Sequence, residues 1–541
     1  MNETSGQERK TVTETKPADR KVRVVAVIDI GATAIRLVIA EIDEQGRIHT
    51  LETLSRAVHL GKDTFNKGRI QQSTIQECVE ILKGFRQVMQ EYGVTEPNQI
   101  RAVATSSVRE AQNRDNFIDR VYIATNIPVR AIDEAEENRL TYMAVQSVME
   151  SRPELSRSDV LVVEVGGGST ELLLIQGGHV TYSNSYRLGS LRMRETLESY
   201  RAPSERTRTI LGQHIERTID QLKRDVPPTQ GAILVAMAGD ARFVASQISK
   251  DWNEVEVAEI DYKTFSAFAE KIVPITVEKL VQKYKMTYQE AETVGPAVLA
   301  YVHLARQFKV EKILVPKTSL RDGLLREASL QRKWTDAFAE EVVHSAVTLG
   351  HKYQFDEKHA QHVADTCMQI FKALQPDHPM DQRHELLLKT AALLHEIGGF
   401  ISNRSHHKHS MYLILNSDLF GLTREDMTLI AQIARYHRRA QPSATHEEYA
   451  LLDRDSRITV SKLAAILRVA DGLDRNHLQQ VRSLSFSRDK DEFVITVSDV
   501  EDLTIERLAV KEKGVLFEEV YGMSIHLKES RSTLTGDSAH G

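Results

Sequence analysis

Residues 160–175 read VLVVEVGGGSTELLLI, and this stretch decides the fold. The apolar, β-branched run 160–163 predicts a buried strand, and 172–175 predicts a strand that returns beside it. Between them lie Glu164, a run of glycines and two hydroxyl residues. An acid at a strand end can hold a divalent metal ion or orient water, and the amides of a glycine turn can surround phosphate oxygens. The alternative is a plain tight hairpin, in which glycine serves only the backbone conformation.

A second copy of this unit occurs earlier, because residues 22–42 read VRVVAVIDIGATAIRLVIAEI. Aligning Asp29 with Glu164 places Gly31 on Gly166. Each copy opens a segment in which strands and helices alternate, so the pair predicts a duplicated α/β domain with a cleft between its halves. In the first half we expect a strand over 100–104 and helices over about 73–92, 108–124 and 133–149.

Composition limits the class of protein. The chain has 541 residues, 41% of them hydrophobic, and a formal net charge of −6, which argues against general nucleic-acid binding but leaves room for a local basic groove. Two cysteines exclude a disulfide framework and an all-cysteine metal site, and they favour a reducing, cytoplasmic setting. No apolar run reaches the roughly 18 residues of a membrane span. Residues 1–20 are polar and mixed in charge, which predicts a disordered tail rather than a secretory signal.

The character of the sequence changes twice after the α/β segments. From about residue 334 long helical patterns dominate and hold most of the chain's 20 histidines, and from about 480 alternating apolar residues return. We therefore predict a tail over 1–20, lobe I over 21–150, lobe II over 151–330, a helical domain over 331–480, and a small module with a tail over 481–541.

Several charged residues allow two interpretations when they are read singly. Glu136 and Glu137 fall in the first turn of a predicted helix, where acids complement the helix dipole. Arg109 and Arg321 follow small polar residues and could bind an anion, although solvated surface arginines are commoner.

The sequence carries an ordered set of motifs, namely DIG (29–31), ATSSVREA (104–111), EENRL (136–140), VGGGSTEL (165–172), GSLR (189–192), LRDGLL (320–325), AALLHEIG (391–398) and RYHRR (435–439). Taken together, these motifs resemble those of the exopolyphosphatase / guanosine pentaphosphate phosphatase (Ppx/GppA) family, in the superfamily of actin, sugar kinases and heat-shock ATPases. The resemblance implies a duplicated actin-like (ribonuclease H-like) α/β ATPase fold, followed by an all-α HD-like domain and a small α+β tail module.

The resemblance also implies the chemistry of a metal-assisted phosphoanhydride hydrolase. Glu137 corresponds to the family's catalytic base, which would orient or deprotonate the attacking water. Asp29, Glu164 and Glu171 would hold Mg²⁺. The implied phosphate-binding residues are Gly31, Thr33, Arg109, Gly166, Gly167, Gly168, Ser169, Thr170 and Arg321.

The sequence departs from the family's pattern in three places. The first loop lacks two of the usual hydroxyl residues, since Ala32 and Ala34 stand there, and Glu164 replaces the usual aspartate of the second loop. A third glycine-rich stretch has become AMAGDA (236–241), which puts Asp240 near the expected phosphate.

Within the helical domain, the resemblance to the HD superfamily implies a second metal site. Its ligand order could be filled by His362, His395-Glu396, His409, His437 and Asp471. Glu396 stands where that superfamily has an aspartate that bridges metals. The alternative is a scaffold whose histidines line a polyanion channel or pack internally.

The predicted function is therefore an exopolyphosphatase that uses Mg²⁺ to release orthophosphate from the ends of polyphosphate. Guanosine pentaphosphate is the alternative substrate, and a polyphosphate- or alarmone-binding regulator with little turnover is the alternative from another class. Relatives imply a homodimer, and we expect no membrane association.

Overall fold

The computed structural model describes residues 22–530, except 200–206, 230, 254, 331–334, 376–379, 439, 490, 499 and 501. The predicted disordered tail over 1–20 lies outside the described residues.

The first sheet belongs to lobe I and has the strand order β3-β2-β1-β4-β5. Its first strands form an antiparallel meander, whereas β4 runs parallel to β1 and β5 parallel to β4. The strands are β1 Arg23–Ile30, β2 Ala34–Ile42, β3 Ile48–Ala57, β4 Ile100–Ala104 and β5 Val129–Ala131.

The second sheet belongs to lobe II and has the order β10-β11-β9-β6-β7-β8. Here β6, β7 and β8 form the antiparallel meander, β9 runs parallel to β6, and β11 runs parallel to β9. The order β8-β7-β6-β9-β11 therefore repeats that of the first sheet, which confirms the predicted duplication. The strands are β6 Val160–Val165, β7 Thr170–Gln176, β8 His179–Tyr186, β9 Ile233–Met237, β10 Val257–Asp261 and β11 Lys312–Pro316.

Helices cover both faces of each sheet, because alternate residues of the central strands point to opposite sides. In β1, for example, Ala26 and Ile28 belong to a different core cluster from Val25 and Val27. The helices of the two lobes are α1 Leu60–Lys67, α2 Gln72–Glu91, α3 Ser106–Arg109, α4 Arg114–Thr125, α5 Glu134–Ser151, α6 Ser190–Ser199, α7 Thr207–Asp225, α8 Ala238–Ile248, α9 Tyr262–Ile272, α10 Val277–Tyr284, α11 Tyr288–Gln307 and α12 Leu320–Ser329.

The lobes are joined by α5 and α12, which pack against each other. Leu140 and Met143 of α5 share a core cluster with the first sheet and with Leu324 of α12, while Val145 of α5 belongs to the core of the second sheet. A Cβ atom at Gly323 would lie 2.1 Å from the Leu140 carbonyl oxygen, so only glycine allows this close crossing. The crossing fixes the two lobes around the cleft between them.

The helical domain and the tail module follow. The core on one face of the second sheet continues into this domain, since Val162 and Leu173 belong to the same cluster as Val342 and Ala346. In the tail module β13 pairs antiparallel with β12 and parallel with β14. The elements are α13 Asp336–Lys352, α14 Glu357–Leu374, α15 Gln382–Leu394, α16 His406–Leu415, α17 Arg424–Arg435, α18 Glu447–Ala450, α19 Arg454–Leu473, β12 Leu484–Asp489, β13 Glu492–Ser498, α20 Thr504–Lys513, α21 Val515–Tyr521 and β14 Ser524–Ser530.

Most of the predicted elements are confirmed within a few residues, but the helix predicted over about 108–124 is two helices, α3 and α4. The two cysteines are free and buried, as expected for a chain without a disulfide framework. In the described part of the chain, no helix is both long enough and apolar enough to cross a membrane.

Candidate functional site

A cavity of ≈ 630 Å³ lies between the lobes, at the ends of the strands that carry the glycine turns. We call it the cleft. Its wall includes predicted residues from both copies of the repeated unit as well as residues that were not predicted. The residues that matter below are Asp29, Gly31, Thr33, Arg36, Glu137, Glu164, Gly166, Gly167, Ser169, Glu171, Asp240, Arg242, Phe243, Tyr284 and Arg321.

The two glycine turns have the same backbone geometry. The Gly31 amide donates to the Ala34 carbonyl at 3.0 Å, and the Gly166 amide donates to the Ser169 carbonyl at 2.9 Å. These two amides therefore close the turns. The turns also touch, because a Cβ atom at Gly167 would lie 2.8 Å from the Ala32 Cβ atom. The small residues at these positions allow the lobes to approach closely at the cleft.

Glu137 lies in the first turn of α5. The helix begins there because the Asp133 carboxylate accepts a hydrogen bond from the Glu136 amide at 2.8 Å, a typical N-cap. Arg109 Nη1 donates to Glu137 Oε2 at 2.8 Å. Burial raises the pKa of Glu137 to about 7, even though the Arg109 charge opposes the rise. A carboxylate with this pKa is suited to accept a proton near neutral pH.

The neighbouring acid, Glu136, points to a different set of partners. It is held by Arg130 and lies 3.7 Å from Arg139 Nη2. The structure thus separates the two adjacent acids: Glu137 lines the cleft, and Glu136 belongs to a cluster of ion pairs that does not line it.

The three predicted metal-binding acids all line the cleft. Asp29 is the last residue but one of β1, while Glu164 and Glu171 stand opposite each other across the β6–β7 hairpin. Thr141 donates to Glu164 at 3.1 Å, and Ser185 donates to Glu171 at 3.2 Å. Burial raises the pKa of Glu164 and, more strongly, that of Glu171, whose neighbouring carboxylates add to the rise. Their ligand atoms are not among the described groups of three that lie within 4.8 Å of one another.

Arginines near these acids balance part of their charge. Two of these arginines, Arg36 and Arg242, were not predicted from the sequence. Arg321 lies 3.6 Å from Asp29, and its buried Nε atom has no hydrogen-bond partner among the described residues. Arg36 lies 3.7 Å from Asp29, directly opposite it across the β1–β2 hairpin. Arg242 donates to the Thr318 carbonyl at 3.0 Å and also lines the cleft. The hairpin pairing was the available signal for Arg36, whereas nothing in the sequence marked Arg242.

Three residues predicted to bind phosphate have other contacts in the structure. The Thr170 hydroxyl is buried and donates to the Leu188 carbonyl at 2.7 Å. Gly168 is required for packing, because a Cβ atom there would lie 2.2 Å from the Ser106 Oγ atom. Arg109 contacts Glu137 and the Ile132 carbonyl. None of the three is among the residues that line the cleft in the described structure. The sequence motif could not separate residues that build the turn from residues that face the cleft.

The altered third stretch contributes Asp240 and a strained backbone. Asp240 lies in the first turn of α8, and burial raises its pKa to about 7, although Thr293 donates to it at 3.3 Å. Ala238 has a φ of 77°, the left-handed conformation that glycine adopts most readily. Ala238 therefore holds a backbone conformation that favours glycine.

The structure gathers only part of the predicted ligand set in the helical domain. His395, Glu396, His437 and Asp471 belong to groups whose ligand atoms lie within 4.8 Å of one another. His362 and His409 do not belong to these groups in the described residues, whereas His359, His406 and His477 do. His359 and His362 are three residues apart on α14, so their side chains leave the helix about 60° apart, and residue spacing alone could not distinguish them.

Comparison with known proteins identifies the family. Residues 38–332 match the Ppx/GppA phosphatase family, and residues 343–511 match Ppx/GppA phosphatase, domain III. The chain is 24% identical over 477 residues to a guanosine-5'-triphosphate,3'-diphosphate pyrophosphatase from Photobacterium profundum, an alignment that covers 86% of this chain and 90% of that protein. A protein of the same name from Aeromonas hydrophila is 24% identical over 486 residues, covering 87% and 92%.

A solved structure, an exopolyphosphatase from Cytophaga hutchinsonii, superposes with a TM-score of 0.51 at 23% identity, covering 57% of this chain and 98% of that chain, and shows a common fold. Since the family match extends over more than half of its length, this chain belongs to the Ppx/GppA phosphatase family of phosphoanhydride hydrolases.

Proposed function

We propose that this protein is an exopolyphosphatase, which hydrolyses the terminal phosphoanhydride bond of inorganic polyphosphate and releases orthophosphate. The observation that supports this most strongly is Glu137, a buried carboxylate held by Arg109 at 2.8 Å inside a cleft lined by both acids and arginines. In phosphoryl transfer, positioning and electrostatics supply most of the catalysis, so a cleft of this kind has the parts that the reaction needs.

In the proposed reaction Glu137 accepts a hydrogen bond from the attacking water and takes its proton. A bond forms between the water oxygen and the terminal phosphorus, and the bond from that phosphorus to the bridging oxygen breaks. The contact with Arg109 fixes the carboxylate before substrate enters. General-base assistance typically contributes about 10² to 10⁴ in rate.

Binding of the phosphate chain is assigned to Arg321, Arg36 and Arg242, together with the glycine turns. The unpartnered Nε atom of Arg321 can donate to a phosphate oxygen without giving up a contact in the described structure. Guanidinium groups bind phosphate through two parallel hydrogen bonds, which orients the chain as well as holding it. Of the predicted residues, Thr33, Gly167 and Ser169 keep this role because they line the cleft. Gly31 and Gly166 also line it, but their amides close the turns.

The cleft suits Mg²⁺ because its acids offer oxygen ligands. Mg²⁺ usually binds one or two carboxylates, keeps several waters and bridges to substrate phosphates, so acids that are not gathered into a tight group fit it. We assign Asp29, Glu164 and Glu171 to this role. When bound, the ion would neutralise charge on the transferred phosphoryl group.

Guanosine pentaphosphate is the second candidate substrate, and two aromatic side chains of the cleft favour it. Phe243 and Tyr284 line the cleft, with ring centroids 5.4 Å apart in an edge-to-face arrangement. An aromatic side chain can stack on a nucleobase, a contact worth about 1–3 kcal/mol. The relatives named above carry the guanosine-nucleotide name.

The test is orthophosphate release from long-chain polyphosphate and from guanosine pentaphosphate, measured side by side with Mg²⁺. We expect turnover of polyphosphate that is insensitive to Phe243→Ala. Any turnover of guanosine pentaphosphate should fall about tenfold in kcat/KM in that variant, because only the nucleotide has a base to stack. Binding of both ligands without release of orthophosphate from either would contradict the hydrolase and favour the regulator.

A further inference from the structure

Helix α5, which carries Glu137, also contacts the helical domain. Tyr142 of α5 packs edge-to-face on Phe420, with ring centroids 5.1 Å apart, and both residues are buried. Arg139 of the same helix lies over the ring of Phe338, 5.9 Å from its centroid. Phe338 belongs to α13, and Phe420 to the loop between α16 and α17. The helix that carries the proposed catalytic base therefore packs against two domains.

These contacts leave the Glu137 side of the helix free. Each residue of an α-helix is turned by about 100° from the one before it, so Arg139 and Tyr142 lie about 160° and 140° around the axis from Glu137. One side of α5 thus faces the cleft, while the opposite side faces the helical domain.

The start of α5 makes a further contact with the helical domain, through Asp133. Its Oδ1 atom accepts the hydrogen bond from the Glu136 amide that caps α5. Its Oδ2 atom accepts a hydrogen bond from the Arg424 amide at 3.2 Å. Arg424 is the first residue of α17, so one carboxylate caps the first turns of two helices that belong to different domains.

Both helices favour a carboxylate at this position. The first amides of a helix have no acceptor within the helix, and this end carries a partial positive charge. Helix α5 has 18 residues and α17 has 12, so both are regular helices with such an end. The two oxygens of Asp133 are divided between them, which makes the carboxylate a link between lobe I and the helical domain.

The first turn of α17 is well fixed within the helical domain. Thr423 and Asp426 form a capping box, in which the Thr423 hydroxyl donates to Asp426 Oδ2 at 2.8 Å. Arg383 of α15 donates to Asp426 Oδ1 through Nε at 2.9 Å. Since Asp426 is also buried, the Arg424 amide has a defined position relative to the rest of that domain.

On the lobe I side, Asp133 leads directly to Glu137. The Glu137 amide donates to the Asp133 carbonyl at 3.0 Å. Arg109, which holds the Glu137 carboxylate, also donates to the carbonyl of Ile132 at 3.0 Å. A movement of Asp133 would therefore shift both the backbone of Glu137 and the arginine that orients its carboxylate.

We propose that Asp133 is a positioning residue through which the helical domain holds the catalytic base in place. Its role rests on the proposed function, in which Glu137 is that base. Asp133 is not among the residues that line the cleft in the described structure, so it should affect the chemical step rather than the binding of polyphosphate. Small displacements of a reacting group are costly in rate, which makes this step sensitive to the contact.

The experiment measures kcat and KM for orthophosphate release from polyphosphate by full-length Asp133→Asn with saturating Mg²⁺. Asparagine caps helices as well as aspartate does, so its oxygen can keep the Glu136 amide, but its NH₂ group then faces the Arg424 amide, donor against donor. We expect kcat to fall about three- to tenfold with KM unchanged. Asp261→Asn is the matched control at the N-cap of α9, where the carboxylate accepts from the Thr264 amide at 2.9 Å, and it should retain both wild-type constants.

Arg424→Pro tests the same contact from the other domain. Proline has no amide hydrogen and is favoured at the first position of a helix. Thr423 before it already has the extended backbone that proline requires, with φ −72° and ψ 165°. This variant should lose as much kcat as Asp133→Asn, and the double variant no more than either single one. Arg424→Ala keeps the amide and should retain the wild-type kcat.

Hydrogen exchange on the full-length proteins tests the link without turnover. The Arg424 amide and the first turn of α5 should exchange faster in Asp133→Asn than in the wild type, and at the wild-type rate in Asp261→Asn. A wild-type kcat in folded Asp133→Asn, an effect on KM in place of kcat, or unchanged exchange would overturn the proposal. Absence of orthophosphate release from the wild type would instead refute the proposed function, and exchange would then decide by itself whether Asp133 links the two helices.

Discussion

In lobe I the acid at the end of the first strand stands opposite an arginine, whereas in lobe II it stands opposite another acid. Asp29 pairs with Arg36 across β1 and β2, and Glu164 pairs with Glu171 across β6 and β7. The turns that join the strands close with the same hydrogen bond in both copies. The two copies therefore share one hairpin backbone but differ in the charge of the side chain that faces the acid.

The difference indicates how the two copies of a duplicated hairpin can take different roles, one in phosphate binding and one in metal binding. In lobe I, Arg36 and Arg321 neutralise Asp29, so that this side of the cleft can receive phosphate. In lobe II, burial and then the neighbouring carboxylates of Glu137 and Glu164 raise the pKa of Glu171, and a bound cation would offset that repulsion. We infer that Arg36 of the lobe I hairpin acts on the phosphate chain and that the paired acids of the lobe II hairpin act on the metal ion.

The largest effect on orthophosphate release is expected from a change at Glu137. Glu137→Gln should lower orthophosphate release by about 10² to 10⁴, because glutamine keeps the shape but cannot take a proton. Glu134→Gln is the matched control, since Glu134 lies in the same helical turn but is exposed, with 59% of its side chain accessible. Near-wild-type release by Glu137→Gln would refute its role as the base.

The lobe II half of the comparison is tested at Glu164. Glu164→Gln should raise the Mg²⁺ concentration for half-maximal release by about tenfold or more, because it removes a charge that anchors the ion, equivalent to about 1.4 kcal/mol. Glu164→Asp keeps the charge and should be milder. Magnesium titrations on the three proteins check this, and an unchanged magnesium dependence in Glu164→Gln would exclude it as a ligand.

The lobe I half is tested at Arg36. Arg36→Gln should raise KM for polyphosphate by about tenfold while leaving the magnesium dependence near that of the wild type, since a hydrogen bond to a charged group is worth about 1.5–3 kcal/mol. Arg56→Gln on the neighbouring strand is the control, because Arg56 is exposed and does not line the cleft in the described structure. If Arg36→Gln instead shifted the magnesium dependence, the division between the hairpins would be wrong.

A smaller effect, on KM, is expected from the change in protonation of Asp240 with pH. Its pKa, raised to about 7 by burial, leaves the group neutral below that pH and negative above it, although Arg36 and Arg242 lower it and Glu290 raises it. The negative charge repels the phosphate chain, so KM should rise by about threefold more in the wild type than in Asp240→Asn between about pH 6 and 8. Parallel KM profiles for the two proteins would show that Asp240 does not meet the substrate.

The smallest expected effect is on the free energy of unfolding and comes from the backbone at Ala238. Ala238→Gly should raise the free energy of unfolding by about 1 kcal/mol, because alanine is strained at a φ of 77°. Ala267→Gly, at an exposed position within α9, should lower it by a similar amount. Urea denaturation of both variants measures this, and destabilisation by Ala238→Gly would contradict the assignment of strain.

The sequence predicted the duplication well because it depends on local patterns. Two apolar runs that each end in an acid and a glycine turn specify the same hairpin twice, and the strand order of both sheets agrees with it. Residues that act through long-range contacts were not accessible in this way. Arg242 reaches the cleft only because α8 follows β9 there, and the core shared by Val162 and Val342 across the predicted boundary at 331 leaves no signal in composition.

The central claim is that Glu137 acts on water after the phosphate chain has bound. It is tested most directly by single-turnover release of orthophosphate from polyphosphate, with enzyme in excess over substrate ends and Mg²⁺ saturating, in wild type and Glu137→Gln. We predict that both proteins bind all of the substrate and that only the wild type releases orthophosphate at an appreciable rate. Equal single-turnover rates would contradict the account, because the chemical step would then proceed without the carboxylate.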